Sequence, residues 1–153
     1  GHGFPVAVGL ALAAKKSQSR RRIFLITGDG ELAEGSNWEA ALAAAHYGLD
    51  NLVIINDKNN LQLAGPTREI MNTDPLAEKW LAFGMQVTEC QGNDMASVVA
   101  TLEGLKQEGK PNVVIAHTTK GAGISFIQGR AEWHHRVPKG DEIEQALKEL
   151  KDA

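Results

Sequence analysis

Cysteine is all but missing from this chain. Its one representative, Cys90, excludes an internal disulfide and fits a reducing compartment, so a cytoplasmic setting is expected. At the end of an apolar run, that cysteine reads as a small buried hydrophobe. Positive charge is not in excess either. With 16 Lys and Arg against 19 Asp and Glu, the formal net charge is −3, which leaves no electrostatic case for nucleic acid or an anionic membrane surface. The basic run of Lys15-Lys16 and Arg20-Arg21-Arg22 reads as a solvated loop ahead of a strand. No apolar stretch approaches the ~20 residues needed to span a bilayer, and there is no signal-peptide pattern. What remains is ordinary: 153 residues, 42% hydrophobic, suit one globular domain with its own core.

The stretch from Gly28 to Gly65 organises the rest. An apolar run, Ile23 to Thr27, delivers Asp29 into a turn between two glycines. A second run, Leu52 to Ile55, delivers Asn59 and Asn60. Between them lies an alanine-rich helical segment without proline. Strand, acidic turn, helix, strand and Asn pair make a parallel crossover whose two strand ends fall on one edge of the sheet. Ligands of open α/β sheets bind beyond that edge. Asp29 offers a hard anionic oxygen, Asn59 a neutral amide oxygen, and the Leu61-Gln62-Leu63 loop a backbone carbonyl. Such a sparse oxygen set suits a small hard cation that shares phosphate oxygens. The glycines let backbone approach a phosphate and leave N–H groups to point at it. The residues alone thus read as a Mg²⁺-bridged diphosphate site; a tight turn and a polar loop with no ligand is the bland alternative.

Gly28-Asp29-Gly30 followed, after 28 residues, by Asn59-Asn60 resembles the thiamine diphosphate motif. GHGFPVAVGLALAAK, GDGELAEGSNWEAALAA, NDKNNLQLAG and KGAGISF resemble the N-terminal, diphosphate-binding region of transketolases, most closely the bacterial type split between two chains. The likeness runs from Gly1 to about Lys148.

Along the chain, Phe4–Lys16 reads as a helix opened by Pro5, apolar nearly all round and therefore buried, as a helix at a subunit interface would be. Residues 38–47 read as a helix capped by Ser36 or Asn37 and closed by Gly48. Asp74 and Pro75 read as N-cap and first residue of a helix to Phe83, with Leu76, Trp80 and Phe83 on its core face. Strands are expected over 85–89 and 112–117, with a helix over 95–107 between them. Residues 68–73 carry no strong pattern. Trp133-His134-His135 reads as extended, which would aim adjacent histidines in opposite directions. A charged helix, 141–151, closes the chain. The order strand–helix repeated gives an α/β fold, a mostly parallel sheet flanked by helices.

The resemblance implies more than the residues do. It makes 1–153 a single diphosphate-binding domain of the thiamine diphosphate-binding fold, and the start in mid-motif leads one to expect that an N-terminal part precedes it. It implies thiamine diphosphate and Mg²⁺ as cofactors, with the metal on Asp29, Asn59 and the Leu61 carbonyl. Gly30, Glu31, His134 and His2 join Asp29, Asn59 and Leu61 as the cofactor-binding set. Glu34 matches the glutamate of the GDGxxxEG pattern at the dimer contact and is expected, with His134, to be catalytic. The family's Trp-His-Gly pattern favours His134 as the residue reaching diphosphate and substrate, while His135, where glycine is usual, leaves a one-residue ambiguity. The implied reaction is transfer of a two-carbon ketol unit from a ketose to an aldose, on phosphorylated sugars of the pentose phosphate kind. The glutamate that activates the cofactor's aminopyrimidine comes, in this family, from a pyrimidine-binding domain that these residues do not supply. A C-terminal, pyrimidine-binding subunit is therefore the expected partner, in a dimer of heterodimers, and the chain alone is expected to be inactive. The motif by itself also fits other thiamine diphosphate enzymes, such as a deoxyxylulose-phosphate synthase, a 2-oxoacid dehydrogenase component or a sugar-sulfonate transketolase, as well as a non-catalytic scaffold relative.

Overall fold

The computed structural model describes residues 1–151, so the last two residues of the expected domain lie outside the described residues. The chain runs α1 (Gly3–Lys16), β1 (Ile23–Gly28), a 3-10 turn (Gly30–Ala33), α2 (Gly35–His46), β2 (Leu52–Lys58), and a small hairpin of β3 (Leu61–Gln62) and β4 (Gly65–Pro66). There follow α3 (Thr67–Ile70), α4 (Leu76–Ala82), β5 (Gln86–Gln91), α5 (Met95–Gly104), β6 (Asn112–His117), a second 3-10 turn (Ala131–His134) and α6 (Asp141–Lys151). Among the described residues no helix is long and apolar enough to cross a membrane.

Four strands form one parallel sheet in the order β1-β2-β6-β5. Their side chains sort by parity, and the inner strands β2 and β6 are covered on both faces, whereas Phe24 and Ile26 on one face of the edge strand β1 are exposed. Leu52, Ile54, Val113 and Ile115 join Phe4, Ala7 and Ala11 of α1, Ala41 and Ala44 of α2, and Trp80 of α4 in the larger core. Trp80 is fully buried and its ring lies 5.0 Å from Trp38 and 6.1 Å from Phe4. On the other face Val53, Cys90, Val114 and Ala116 meet Val98 and Leu102 of α5. Cys90 is buried there, as the sequence suggested.

The register brings the carboxyl ends of the strands level. Gly28 pairs with Asp57, Lys58 with His117, and Gln91 with His117. The turns leaving β1, β2 and β6 therefore open onto one edge.

Several local expectations need correction. Helix α1 buries one face in this chain's own core, through Phe4, Ala7, Val8, Ala11 and Ala14, while Val6 and Leu10 on its other side are more than half exposed in the chain by itself. Helix α2 begins at Gly35, so Asn37 is not its cap but a fully buried residue whose Nδ2 donates to the Glu31 carbonyl at 2.7 Å. Pro75 is the N-cap of α4 rather than its first residue, and Asp74 lies outside the helix, ion-paired with Lys58. Trp133 and His134 sit in a 3-10 turn and not on extended chain, because Trp133 buries its ring against Phe126 at 5.4 Å and draws the backbone round. Helix α5 stops at Gly104 instead of 107. The patternless residues 68–73 begin within the short helix α3, and the hairpin just ahead of them is not expected from the sequence.

Candidate functional site

A cleft of about 430 Å³ lies at the level edge. Gly28, Asp29, Gly30 and Glu31 line it from the turn after β1, Asp57, Asn59, Leu61, Gln62 and Leu63 from the end of β2 and the hairpin. Lys120 and His134 close it from the chain after β6.

Asp29 is 3% exposed and accepts two backbone hydrogen bonds, from Gly30 N at 2.8 Å and Asn60 N at 2.6 Å. Asn60 takes a left-handed conformation, φ 60°, which asparagine tolerates better than most residues and which turns its N–H inward. The Asp29 N–H in turn donates to the Asp57 carbonyl at 3.2 Å. Burial dominates this carboxyl and raises its pKa; the Asn60 and Gly30 N–H groups pull the other way, the Asp57 charge adds to the rise, and Lys58 opposes it.

Asn59 is held at both ends of its amide. Its Oδ1 accepts from Leu61 N at 3.0 Å, and its Nδ2 donates to Asp57 Oδ2 at 3.2 Å. Leu61 stands opposite Pro66 in the hairpin, and proline has no N–H to give the Leu61 carbonyl. The donor set is thus one carboxylate whose ionised form burial disfavours, one amide oxygen and one backbone carbonyl without a donor from its strand partner. These are hard oxygens, few in number, and a divalent cation would offset the desolvation of Asp29, so the residues fit Mg²⁺ with a diphosphate. Among the described residues no cluster of three or more His, Cys, Asp or Glu is placed as a self-sufficient metal cage. A cation that takes its remaining ligands from phosphate and water does not need one.

Gly30 lines the cleft, and in the chain by itself its N–H donates to Asp29 Oδ1 at 2.8 Å. Its lack of a side chain matters more, since a Cβ there would lie 2.8 Å from the Cβ of Gln62. The hairpin and the turn after β1 close on each other through that gap.

His134 is exposed at the rim, with its pKa lowered by desolvation and then by the Lys120 and His135 charges. His135 packs edge-on against it, ring centres 4.7 Å apart, and is not among the residues lining the cleft. The structure does not bring every expected residue together. Glu34, at the start of α2, and His2, at the start of α1, are both exposed and do not line the cleft. The Ser36 hydroxyl donates to the Gly1 carbonyl at 2.9 Å and so ties those two helix starts together. Lys120 and Asp57 do line it, and sequence reading assigned neither. Asp57 had one legible signal, a carboxylate in a polar run directly after a buried strand.

Residues 1–151 match the family described as transketolase, thiamine diphosphate binding domain. The chain is 74% identical over 152 residues to one of the subunits of an apulose-4-phosphate transketolase from Actinobacillus succinogenes, covering 99% of this chain and 55% of that protein. The corresponding apulose-4-phosphate transketolase subunit from Phocaeicola vulgatus is 42% identical, with 99% and 54% covered. The chain therefore spans about half the length of these curated relatives. Among solved structures, a transketolase from Campylobacter jejuni superposes with a TM-score of 0.92 at 30% identity, over 99% of this chain and 25% of that one.

Proposed function

The chain belongs to the transketolase family, through its thiamine diphosphate-binding domain, and from this premise we propose that it is the diphosphate-binding half of a transketolase split between two polypeptides. The observation that carries the reading is Asp29, buried at the sheet edge on two backbone N–H groups, facing the same cleft as Asn59 and Leu61.

In this reading the Asp29 carboxylate, the Asn59 amide oxygen and the Leu61 carbonyl hold Mg²⁺. Bound thiamine diphosphate supplies the chemistry by which a two-carbon ketol unit leaves a ketose and joins an aldose. The chain's own residues bind and orient. Lys120 and His134 provide positive charge and an N–H donor to phosphate oxygens, with Glu31 on the opposite wall. Gly30 supplies the space that lets the hairpin close. Desolvation and then the Lys120 and His135 charges lower the His134 pKa and so favour the neutral ring, in which one nitrogen accepts a proton from a substrate hydroxyl while the other donates. His2 and Glu34 do not line this cleft; the exposure of Glu34 at the head of α2 supports a role for it at the contact with a second polypeptide. That partner carries the pyrimidine-binding domain, and turnover requires it. We take apulose-4-phosphate, the sugar in the names of these two relatives, as the substrate, where the family resemblance implied sugars of the pentose phosphate kind.

Calorimetric titration of thiamine diphosphate with Mg²⁺ into the chain assembled with its partner tests the site. Binding that Asp29→Ala abolishes is the expected result. An assembled complex that binds nothing would overturn the reading and leave a scaffold protein in its place. Ketol transfer by the purified chain alone would refute the need for a partner.

A further inference from the structure

Asp57 touches both halves of the oxygen set without belonging to it. Its carbonyl accepts the Asp29 N–H at 3.2 Å, and its carboxylate accepts the Asn59 Nδ2 at 3.2 Å. The other carboxylate oxygen is taken by the hydroxyl of Thr118, the residue after β6. Thr118 is itself fixed, its N–H donating to the Lys58 carbonyl at 3.1 Å. A chain of contacts thus runs from β6 through Thr118 and Asp57 to Asn59.

The chemistry of that chain has a direction. A carboxylate only accepts, and a backbone N–H only donates. Asn59 lies between one of each, so its amide has a single satisfactory orientation, with Nδ2 on Asp57 and Oδ1 on the Leu61 side. An amide held the other way round would present its NH₂ to the cation, and one left loose would have to be ordered on binding; an NH₂ is no ligand for a hard cation. We propose that Asp57, clamped by Thr118, is a positioning residue that fixes the Asn59 amide oxygen toward the metal. The inference rests on the metal-site reading above and goes beyond it by assigning two residues that are not ligands. Partners of this kind, hydrogen-bonded to a ligand, are worth about 10-fold to 100-fold in metal affinity.

The test uses the assembled complex and reads Mg²⁺ affinity by calorimetry in the presence of thiamine diphosphate, with a thermal melt of each variant as a check on folding. In Asp57→Asn, residue 57 can donate as well as accept, so only the Leu61 N–H still selects the Asn59 orientation and the amide is held at one end, and Mg²⁺ affinity falls about 10-fold. Thiamine diphosphate affinity recovers when Mg²⁺ is raised to saturation. Thr118→Val removes the clamp while keeping the carboxylate and gives a smaller fall, which Thr118→Ser restores. Unchanged Mg²⁺ affinity in both Asp57→Asn and Thr118→Val overturns the clamp and leaves the site reading intact. A loss in Asp57→Asn that equals Asp29→Ala, resists saturating Mg²⁺ and is absent in Thr118→Val would make Asp57 a ligand and also overturn the proposal. If the wild-type complex binds no thiamine diphosphate, the site reading falls and the clamp with it.

Discussion

Gly30 offers the sharpest perturbation, because its importance is one of space and not of backbone conformation. It does not lie in the left-handed region that favours glycine. A Cβ added there would stand 2.8 Å from Gln62 Cβ and 3.5 Å from Gln62 Cα, and neither atom is the yielding tip of a side chain. Overpacking of this kind costs about 1–3 kcal/mol. The cost is divided between the folded chain and the site according to which side yields. The turn after β1 is anchored on the main sheet, whereas the hairpin is two residue pairs long, so the hairpin should move. That movement carries Leu61 away from Asp29. Gly30→Ala is therefore expected to weaken Mg²⁺-thiamine diphosphate binding by about 5-fold to 140-fold, the same 1–3 kcal/mol expressed as an equilibrium. The thermal midpoint should fall by less than the roughly 2–4 °C per kcal/mol expected if the fold alone bore the cost. Gly104→Ala is the control: nothing lies within 4 Å of its added Cβ, and binding should be unchanged. Calorimetry gives the first quantity and a circular-dichroism melt the second. Binding within twofold of wild type together with an unchanged melt would refute the close approach of Gln62.

Two further outcomes are expected. Trp80→Ala removes a fully buried ring from between Trp38 and Phe4 and should cost about 3–5 kcal/mol in urea unfolding; a loss below about 1 kcal/mol would mean that α4 does not seal the core. The His134 ring should titrate below an ordinary histidine by NMR, because desolvation and then the nearby Lys120 charge disfavour its protonated form; Lys120→Ala should move the midpoint upward, and a downward or absent shift would contradict the placement of the two side chains together.

Much of this arrangement is legible in the sequence, and the reason differs from part to part. Continuous apolar runs mark β2 and β6, because inner parallel strands are buried on both faces and need no alternation; the equally apolar run of β1 lies at the sheet edge, where Phe24 and Ile26 on one face are exposed. Asp29 and Asn59 stand out because polar residues directly after such runs must sit at open strand ends. The hairpin is not legible: two-residue strands leave no periodicity, and their pairing depends on Gly30 giving way to Gln62 from a distant turn. Asn37 reads as a cap from its type and neighbours, whereas a tertiary contact, its bond to the Glu31 carbonyl, has claimed it. The turn at Trp133 escapes for a similar cause, since the ring it buries against, Phe126, belongs to a loop without pattern. The role inferred for Thr118 depends on the register of β6 beside β2, which no local signal encodes.

That register also sets a timetable for synthesis. Strand β6 lies inside the sheet, between β2 and β5, yet among the described residues it comes after both of them in the chain and so leaves the ribosome later. The nascent chain can pair β1 with β2 early, but a strand must then be inserted between two earlier ones before Thr118 and Lys120 reach the cleft. His134 follows later still. The binding cleft is consequently finished only when nearly the whole described chain has emerged, so a chain that stalls before β6 would expose half a sheet and hold no complete cleft for its ligand.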